Sequence, residues 1–231
     1  MSLDNTALQY AATQRPVVNT TKSFAVSAWL KPDGSATSPT RNFTAVSTRG
    51  EQMSGFYLKY VEANDTWVFA RTARDIHSSG DEGWYQATWR QGVHTDEWTH
   101  VVGVYDAIDQ RLKIYVNGEK GEDSARVTSP WSATGPLEIG RAQWDAGPAD
   151  YWAGEIDDVS VYDRIVGAGE VEEMVTRHPD LKGRWKFNSE GCTSTECAGE
   201  TKTGVWTAPG WVEALEPGRV KGYGTPEEVL R

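Results

Sequence analysis

The sequence predicts an all-β protein in which two antiparallel sheets pack as a sandwich, accompanied by one short helix. The composition is the first observation: 231 residues contain 11 Trp and 23 Gly but only 3 Met, which favours strands and turns over helices. The second is that apolar residues alternate along short runs with a period of two, as in half-buried strands. The third is that Gly, Asp, Asn and Ser clusters separate most of these runs, which is typical of antiparallel sandwiches.

The clearest strand is SFAVSAWLK at residues 23 to 31, where every second residue is apolar. Similar runs follow at residues 42–48, 55–61, 66–71, 84–89, 97–105 and 111–117. Asn117-Gly118 tolerates positive φ at both central positions of a tight turn and predicts a hairpin. One helix is predicted at residues 169 to 178, before Pro179. The alternation predicts these core residues: Phe24, Val26, Ala28, Leu30, Val102, Val104, Leu112, Ile114, Val116, Ile139, Val159 and Val161.

The chain is predicted to contain one domain at residues 1–180 and a C-terminal extension at residues 181–231. The extension has too few apolar residues for a core of its own. Its strand-like segment GRWKFN, residues 183–188, either packs on the same sandwich or begins a next repeat. Met1-Ser2, followed at once by strand-like sequence, suggests a piece of a longer gene product.

The charge and hydropathy of the chain exclude two classes of partner. Asp and Glu outnumber Lys and Arg by 33 to 23, which gives a net charge of −10, so the chain repels phosphate backbones and no nucleic acid partner is predicted. No apolar run approaches the roughly 20 residues that a membrane helix needs. We therefore predict no membrane insertion.

The two cysteines, Cys192 and Cys197, lie in the polar stretch EGCTSTEC. A metal site there would lack ligands, because no His is nearby. A local disulfide is the favoured interpretation and would indicate an oxidising, extracellular compartment. Two unpaired surface thiols are the alternative.

Three stretches together resemble the laminin G-like jelly-roll modules of the concanavalin A-like lectin and glucanase superfamily. They are SFAVSAWLKP at 23–32, EWTHVVGVYDAIDQRLKIYVNGE at 97–119, and GPLEIGR followed by WAGEIDDVSVYDR at 135–164. The resemblance covers about residues 3 to 178 and is closest to bacterial tandem-repeat versions. It implies a jelly roll, a secreted or cell-surface location, and adjacent repeats in the parent chain.

The sequence offers little support for an enzyme. Laminarinase-like members of the superfamily carry paired glutamates on an E-x-D-x-x-E or E-x-D-x-E strand, and GEIDDV at 154–159 matches only its beginning. Glu155 and Asp157 are present, but neither Val159 nor Ser160 can replace the second glutamate. His77, near Asp75 and Asp81, is more typical of a solvated loop than of a metal site. We therefore predict a non-enzyme.

Two binding roles remain after the enzyme is set aside. The favoured prediction is a non-catalytic extracellular structural or interaction module, with a glycan or protein partner at the cell exterior. The alternative is a lectin-like carbohydrate-binding module, since aromatic faces stack on sugars. Its candidate ligand-binding residues are Trp84, Tyr85, Trp89 and Trp144. A glycoside hydrolase is the least favoured alternative.

A structural calcium ion (Ca²⁺) is predicted at Asp4 and Asp157. Strict alternation along EIDDVSV would point Asp157 into the core together with Val159, where a lone carboxylate needs neutralising. Calcium accepts carboxylate and carbonyl oxygens. The resemblance implies Asp4 as the second ligand, because related modules bind calcium near the strand that Leu3-Asp4 matches. Hydrogen bonds from backbone amides or an Arg are the alternative for Asp157.

Overall fold

A computed structural model describes residues 1–38, 40–76 and 83–175, together with the backbone of three short strands nearer the C-terminus. The strands are β1 (Ser2–Leu3), β2 (Tyr10–Ala12), β3 (Phe24–Pro32), β4 (Asn42–Arg49), β5 (Ser54–Val61), β6 (Thr66–Thr72), β7 (Trp84–Trp89), β8 (Thr99–Asp106), β9 (Arg111–Val116), β10 (Glu119–Lys120), β11 (Leu137–Ile139), β12 (Ala142–Trp144), β13 (Gly147–Ala149), β14 (Gly154–Tyr162), β15 (Gly183–Trp185), β16 (Val205–Thr207) and β17 (Gly210–Val212). A 3₁₀ turn spans Glu62–Asn64, and helix α1 spans Ala168–Met174. Among the described residues, no helix is long and apolar enough to cross a membrane.

The strands form two large antiparallel sheets. The first has the order β1-β14-β3-β8-β9-β10, with β15 also paired to β14, and the second has the order β17-β16-β2-β11-β4-β5-β6-β7. The two sheets pack face to face, which confirms the predicted all-β jelly-roll sandwich. The predicted hairpin is also confirmed: Val116 pairs with Glu119, while Asn117 and Gly118 have φ values of 49° and 90°.

The core lies between the two sheets and follows the alternation of each strand. On β3 the inward residues are the predicted ones, and Phe24 and Leu30 are fully buried. Phe24 meets Phe56 of the other sheet with ring centroids 5.1 Å apart. Because the sheets bury apolar residues on their facing sides, the second sheet keeps its other face for polar and aromatic side chains.

A second apolar cluster lies outside the sandwich, beneath α1. Val102 and Val104 of β8 are fully buried, as predicted, but they belong to this outer cluster together with Val171 and Met174. Between the sheets β8 contributes Val101 and Tyr105 instead. The sequence could not distinguish the two sides because β8 is apolar on both.

The predicted orientation of Asp157 is wrong. A β-bulge interrupts the pairing of β14 with β3 between Asp157 and Ser160, and Asp158 takes a φ of 52°. The extra residue shifts the alternation, so Ile156 is fully buried in the core while Asp157 is only half-buried. Val159 and Val161 beyond the bulge are buried as predicted.

The C-terminal strands add to both sheets. Strand β15 pairs antiparallel with β14, with Trp185 opposite Val159, and the hairpin β16–β17 extends the second sheet beside β2. The predicted boundary at residue 180 and the side chains of GRWKFN lie outside the described residues. His77, Cys192 and Cys197 also lie outside them, so the division into domains and the disulfide stay predictions.

Candidate ligand-binding cleft

A cleft of about 710 Å³ opens on the outer face of the second sheet, within the range typical of small-ligand sites. The alternation of three neighbouring strands builds it: side chains that point away from the core line its floor. These side chains are Lys59 and Val61 of β5, Thr66, Val68 and Thr72 of β6, and Trp84, Gln86 and Thr88 of β7. The residues between them, such as Leu58 and Phe69, pack in the core.

Aromatic rings form one wall of the cleft. Trp84 and Trp144 meet edge to face, with ring centroids 5.9 Å apart and an angle of 71° between the ring planes. Tyr57 lies behind them, at 5.3 Å from Trp84 and 6.4 Å from Trp144. Trp144 remains 39% exposed. Two tryptophans therefore present apolar ring surface at a single polar cleft.

The hairpin β12–β13 carries Trp144 over the sheet and is anchored by buried hydrogen bonds. The Tyr57 hydroxyl donates to the carbonyl of Gln143 at 2.9 Å, and the Gln143 amide donates to Ser54 Oγ at 2.9 Å. Burial raises the pKa of Tyr57, so the phenol stays neutral and keeps its proton as a donor. Ser54 and Tyr57 of β5 thus anchor the hairpin that carries Trp144.

Lys59 lies in the floor beneath the aromatic wall. Its residue surface is 8% exposed, and its Nζ lies 5.0 Å from the centre of the Trp84 ring and 5.7 Å from that of Tyr57. The ammonium donates to Asn42 Oδ1 at 3.2 Å. Burial lowers the pKa of Lys59, and the charge of Asp150 acts in the opposite direction.

Asp150 contributes a carboxylate to the cleft from the end of β13. Its Oδ1 accepts a hydrogen bond from Thr40 Oγ1 at 2.8 Å, and its carbonyl accepts one from the Thr44 amide at 2.8 Å. Burial raises the pKa of Asp150, although Lys59 and Thr40 both act to lower it. Amide, hydroxyl and charged groups therefore converge on the same space as the tryptophans.

The structure brings two of the four predicted ligand-binding residues together. Trp84 and Trp144 line the cleft, whereas Trp89 is 8% exposed within the core and Tyr85 packs against the core, with its hydroxyl 3.2 Å from Thr128 Oγ1. Successive side chains of a strand point to opposite faces, so Tyr85 and Trp89 cannot share the face of Trp84.

Three cleft residues were missed by the sequence reasoning. Tyr57 and Lys59 stand two apart in the predicted strand at residues 55–61, and this spacing alone could have placed them on one face. Asp150 gave no such signal, because it follows a short hairpin whose position depends on tertiary contacts.

Glu155, the residue that resembles a glycosidase carboxylate, lies away from the cleft. It is on β14 of the first sheet, where its Oε1 pairs with Lys31 Nζ at 3.0 Å. Among the described residues that line the cleft, Asp150 is the single carboxylate. Glycosidases of the usual kind need two carboxyl groups flanking the bond that breaks.

The residues present do not fit a calcium ion shared by Asp4 and Asp157. Leu3 pairs with Gly154, so Asp4 lies level with residue 153, about 13 Å along the strand from Asp157. Asp4 accepts from the amide and hydroxyl of Thr6, and Asp157 accepts from the Asp158 amide. Within residues 1–38, 40–76 and 83–175 no three His, Cys, Asp or Glu side chains cluster as a metal site. Calcium binding stays a prediction, which melting with calcium or chelator tests.

Comparison with known proteins gives one family and a set of similar folds. A laminin G-type family model, described as the concanavalin A-like lectin/glucanases superfamily, matches residues 5–172. No curated protein sequence is significantly similar to the chain.

Two solved structures resemble the fold at 18% sequence identity each. A heptameric SAP-like pentraxin from Limulus polyphemus has a TM-score of 0.55, over 76% of this chain and 79% of that one. A candidate carbohydrate-binding protein from Bacteroides ovatus ATCC 8483 has a TM-score of 0.58, over 90% of this chain. The chain spans 55% of the length of the Bacteroides protein.

Proposed function

The chain belongs to the concanavalin A-like lectin/glucanase superfamily, and on that premise we propose that it is a non-catalytic module that binds carbohydrate in the cleft of the second sheet. The observation that carries the proposal is the meeting of Trp84 and Trp144 at one polar cleft. The sequence alone favoured a structural or interaction module. Two tryptophans gathered at one open cleft, the half-buried Trp84 and the exposed Trp144, favour the carbohydrate-binding alternative instead.

The chemistry of the cleft suits a sugar. A sugar ring has an apolar CH face that packs on an aromatic ring, and hydroxyl groups that need donors and acceptors around its edge. The tryptophans supply the ring surface, while Gln86, Thr88 and Asn42 supply amide and hydroxyl groups. A single carboxylate among the described lining residues supports binding without hydrolysis.

The laminin G-type family match supports a role outside the cell. The module would act as one part of a longer secreted or cell-surface protein, with a glycan as its partner and further repeats as its neighbours. The Bacteroides protein of similar fold, which is longer than this chain and named for carbohydrate binding, supports the choice of a glycan as the partner.

A glycan array followed by calorimetry tests the proposed function. We expect Trp84→Ala and Trp144→Ala each to weaken binding of the best array ligand by roughly tenfold or more, as truncation of aromatic anchors does. Trp98→Ala is the matched control, because Trp98 is 41% exposed and does not line the cleft. Equal affinity in all variants, or release of reducing ends from the bound glycan, would contradict the proposal.

A further inference from the structure

We propose that the cleft selects acidic glycans, whose carboxylate or sulfate group binds the ammonium of Lys59. The inference rests on the proposed carbohydrate-binding function and names the class of sugar that the same cleft takes. Three features of the described residues lead to it: the spare donors of the buried Lys59 ammonium, the want of a carboxylate paired with that ammonium, and the charge of the cleft lining.

The first feature is a buried cation with spare donors. An ammonium carries three N–H donors, and Lys59 uses one of them for Asn42 Oδ1. Asn42 is itself fixed, since its Nδ2 donates to the carbonyl of Thr40 at 3.0 Å. Within the described part of the chain, no other acceptor hydrogen-bonds to Lys59 Nζ. Two donors of a largely buried ammonium therefore remain for a ligand.

The second feature is that, among the described residues, no carboxylate lies close enough to Lys59 to pair with it. A buried charge costs several kcal/mol unless it is paired. Asp150 is a carboxylate whose charge acts on Lys59, yet the two form no ion pair within 4.0 Å, and Asp150 accepts a hydrogen bond from Thr40. The rings of Trp84 and Tyr57 compensate part of the cost through cation–π contacts. An anionic group on the ligand would supply the missing counter-ion in a charge-assisted hydrogen bond.

The third feature is the sign of the lining. Lys59, Arg74 and Arg90 line the cleft against the one described carboxylate, Asp150, although the whole chain carries a net charge of −10. Arg90 forms an ion pair with Glu122 at 3.3 Å. Lys59 is buried, whereas Arg74 and Arg90 are exposed. An excess of cations among the described lining residues of an anionic protein favours acidic ligands over neutral ones.

The experiment compares three probes by calorimetry: an oligogalacturonate, which carries carboxylates; its carboxyl-reduced form, which is neutral; and a carrageenan oligosaccharide, which carries sulfates. The variant is Lys59→Met, which keeps an unbranched side chain of similar length and removes the ammonium. Lys31→Met is the matched control, because Lys31 forms its ion pair on the other sheet. Circular dichroism checks that each variant folds.

We expect wild-type protein to bind an acidic probe at least tenfold more tightly than the neutral one. Lys59→Met should lose roughly ten- to a hundredfold of that affinity, the usual effect of a charged hydrogen bond, whereas Lys31→Met should not. Comparing the affinities of the two acidic probes shows whether the cleft prefers a carboxylate or a sulfate group. Wild type that prefers the neutral probe, or Lys59→Met that retains acidic binding, overturns this inference and leaves the proposed function standing. Failure to bind any probe overturns the inference too, while the glycan array and the tryptophan variants test the proposed function separately.

Discussion

The guanidinium of Arg71 lies against the ring of Tyr105 inside the sandwich, with 4.8 Å between the guanidinium carbon and the ring centre. Arg71 belongs to β6 and Tyr105 to β8, so this contact joins the two sheets. The guanidinium also donates to the carbonyls of Thr20 at 2.8 Å and Trp131 at 3.2 Å. Burial lowers the pKa of Arg71 to about 10, which leaves it charged at neutral pH. The buried guanidinium of Arg71 thus connects the two sheets with the loops that contain Thr20 and Trp131.

Arg71→Met should lower the free energy of unfolding by roughly 1–3 kcal/mol, because the buried carbonyl of Thr20 loses its donor. Urea denaturation followed by tryptophan fluorescence measures the change. Arg15→Met, at an exposed arginine, is the control and should unfold as wild type does. Equal unfolding midpoints for Arg71→Met and Arg15→Met would show that Arg71 only fills space.

Gly103→Ala should be strongly destabilising. A Cβ at this position of β8 would overlap the ring of Phe69, and forcing an extra methyl group into a packed core costs roughly 1–3 kcal/mol. Thermal melting measures the effect. Gly169→Ala in α1, where a Cβ would meet nothing within 4 Å, should hold or raise the melting temperature. A Gly103→Ala protein that melts with wild type would refute the close packing of the two sheets here.

Ile156→Ala tests the bulge in β14. Since Ile156 is fully buried, its truncation should cost roughly 2–5 kcal/mol in the free energy of unfolding. Ile108→Ala is the control, because Ile108 is 86% exposed and should change stability little. If instead Ile156→Ala were as mild as Ile108→Ala, the uninterrupted alternation would be correct and Asp157 would face the core.

Asp106 should make stability depend on pH in the acid range. Burial works to raise the pKa of Asp106, but hydrogen bonds from Lys113 and from the amides of Asp109 and Ile108 prevail and lower it. The stabilisation is therefore complete above the ordinary carboxyl pKa and is lost as pH falls through the lowered pKa of the folded state. Asp106→Ala should cost roughly 1–3 kcal/mol at pH 7 and progressively less below the unperturbed value of 3.8.

Urea denaturation of wild type and Asp106→Ala across this pH range measures the difference. Asp109→Ala is the control, because Asp109 lies 3.8 Å from the same Lys113 ammonium but its side chain is 42% exposed. An exposed pair contributes roughly 0–1 kcal/mol. A stability difference for Asp106→Ala that did not shrink in acid would mean that packing, not charge, accounts for it.

The fold could be predicted from the sequence because alternation reports directly which side of a strand is buried. On β3 the pattern is regular from Phe24 to Leu30, and the structure follows it. The prediction failed where that regularity is broken or absent. The bulge at Asp158 shifts the phase of β14 by one residue, and strand β8 is buried on both faces, so its sequence shows no polar side.

Only two of the four predicted ligand-binding residues, Trp84 and Trp144, line the cleft. Strand β7 carries aromatic residues on both faces, so its sequence could not tell that Trp84 is outward and Trp89 inward. Trp84 meets Trp144 across sixty residues of chain, because the hairpin β12–β13 folds over the sheet. Lys59 became a candidate only when its burial and its neighbours were known. Local pattern determines the faces of strands, while the composition of a site depends on long-range contacts.

Among the strands that the structure describes, β12 and β13 pair only with each other, as a two-stranded sheet apart from the two large ones. Its strands can therefore change sequence without shifting the register of any other strand. Because it carries Trp144 and ends at Asp150, such changes would alter the ligand preference of the cleft while leaving the scaffold intact. A combinatorial library confined to residues 144 to 150, with Gln143 retained as the anchor, would therefore test whether this scaffold can bind other sugars.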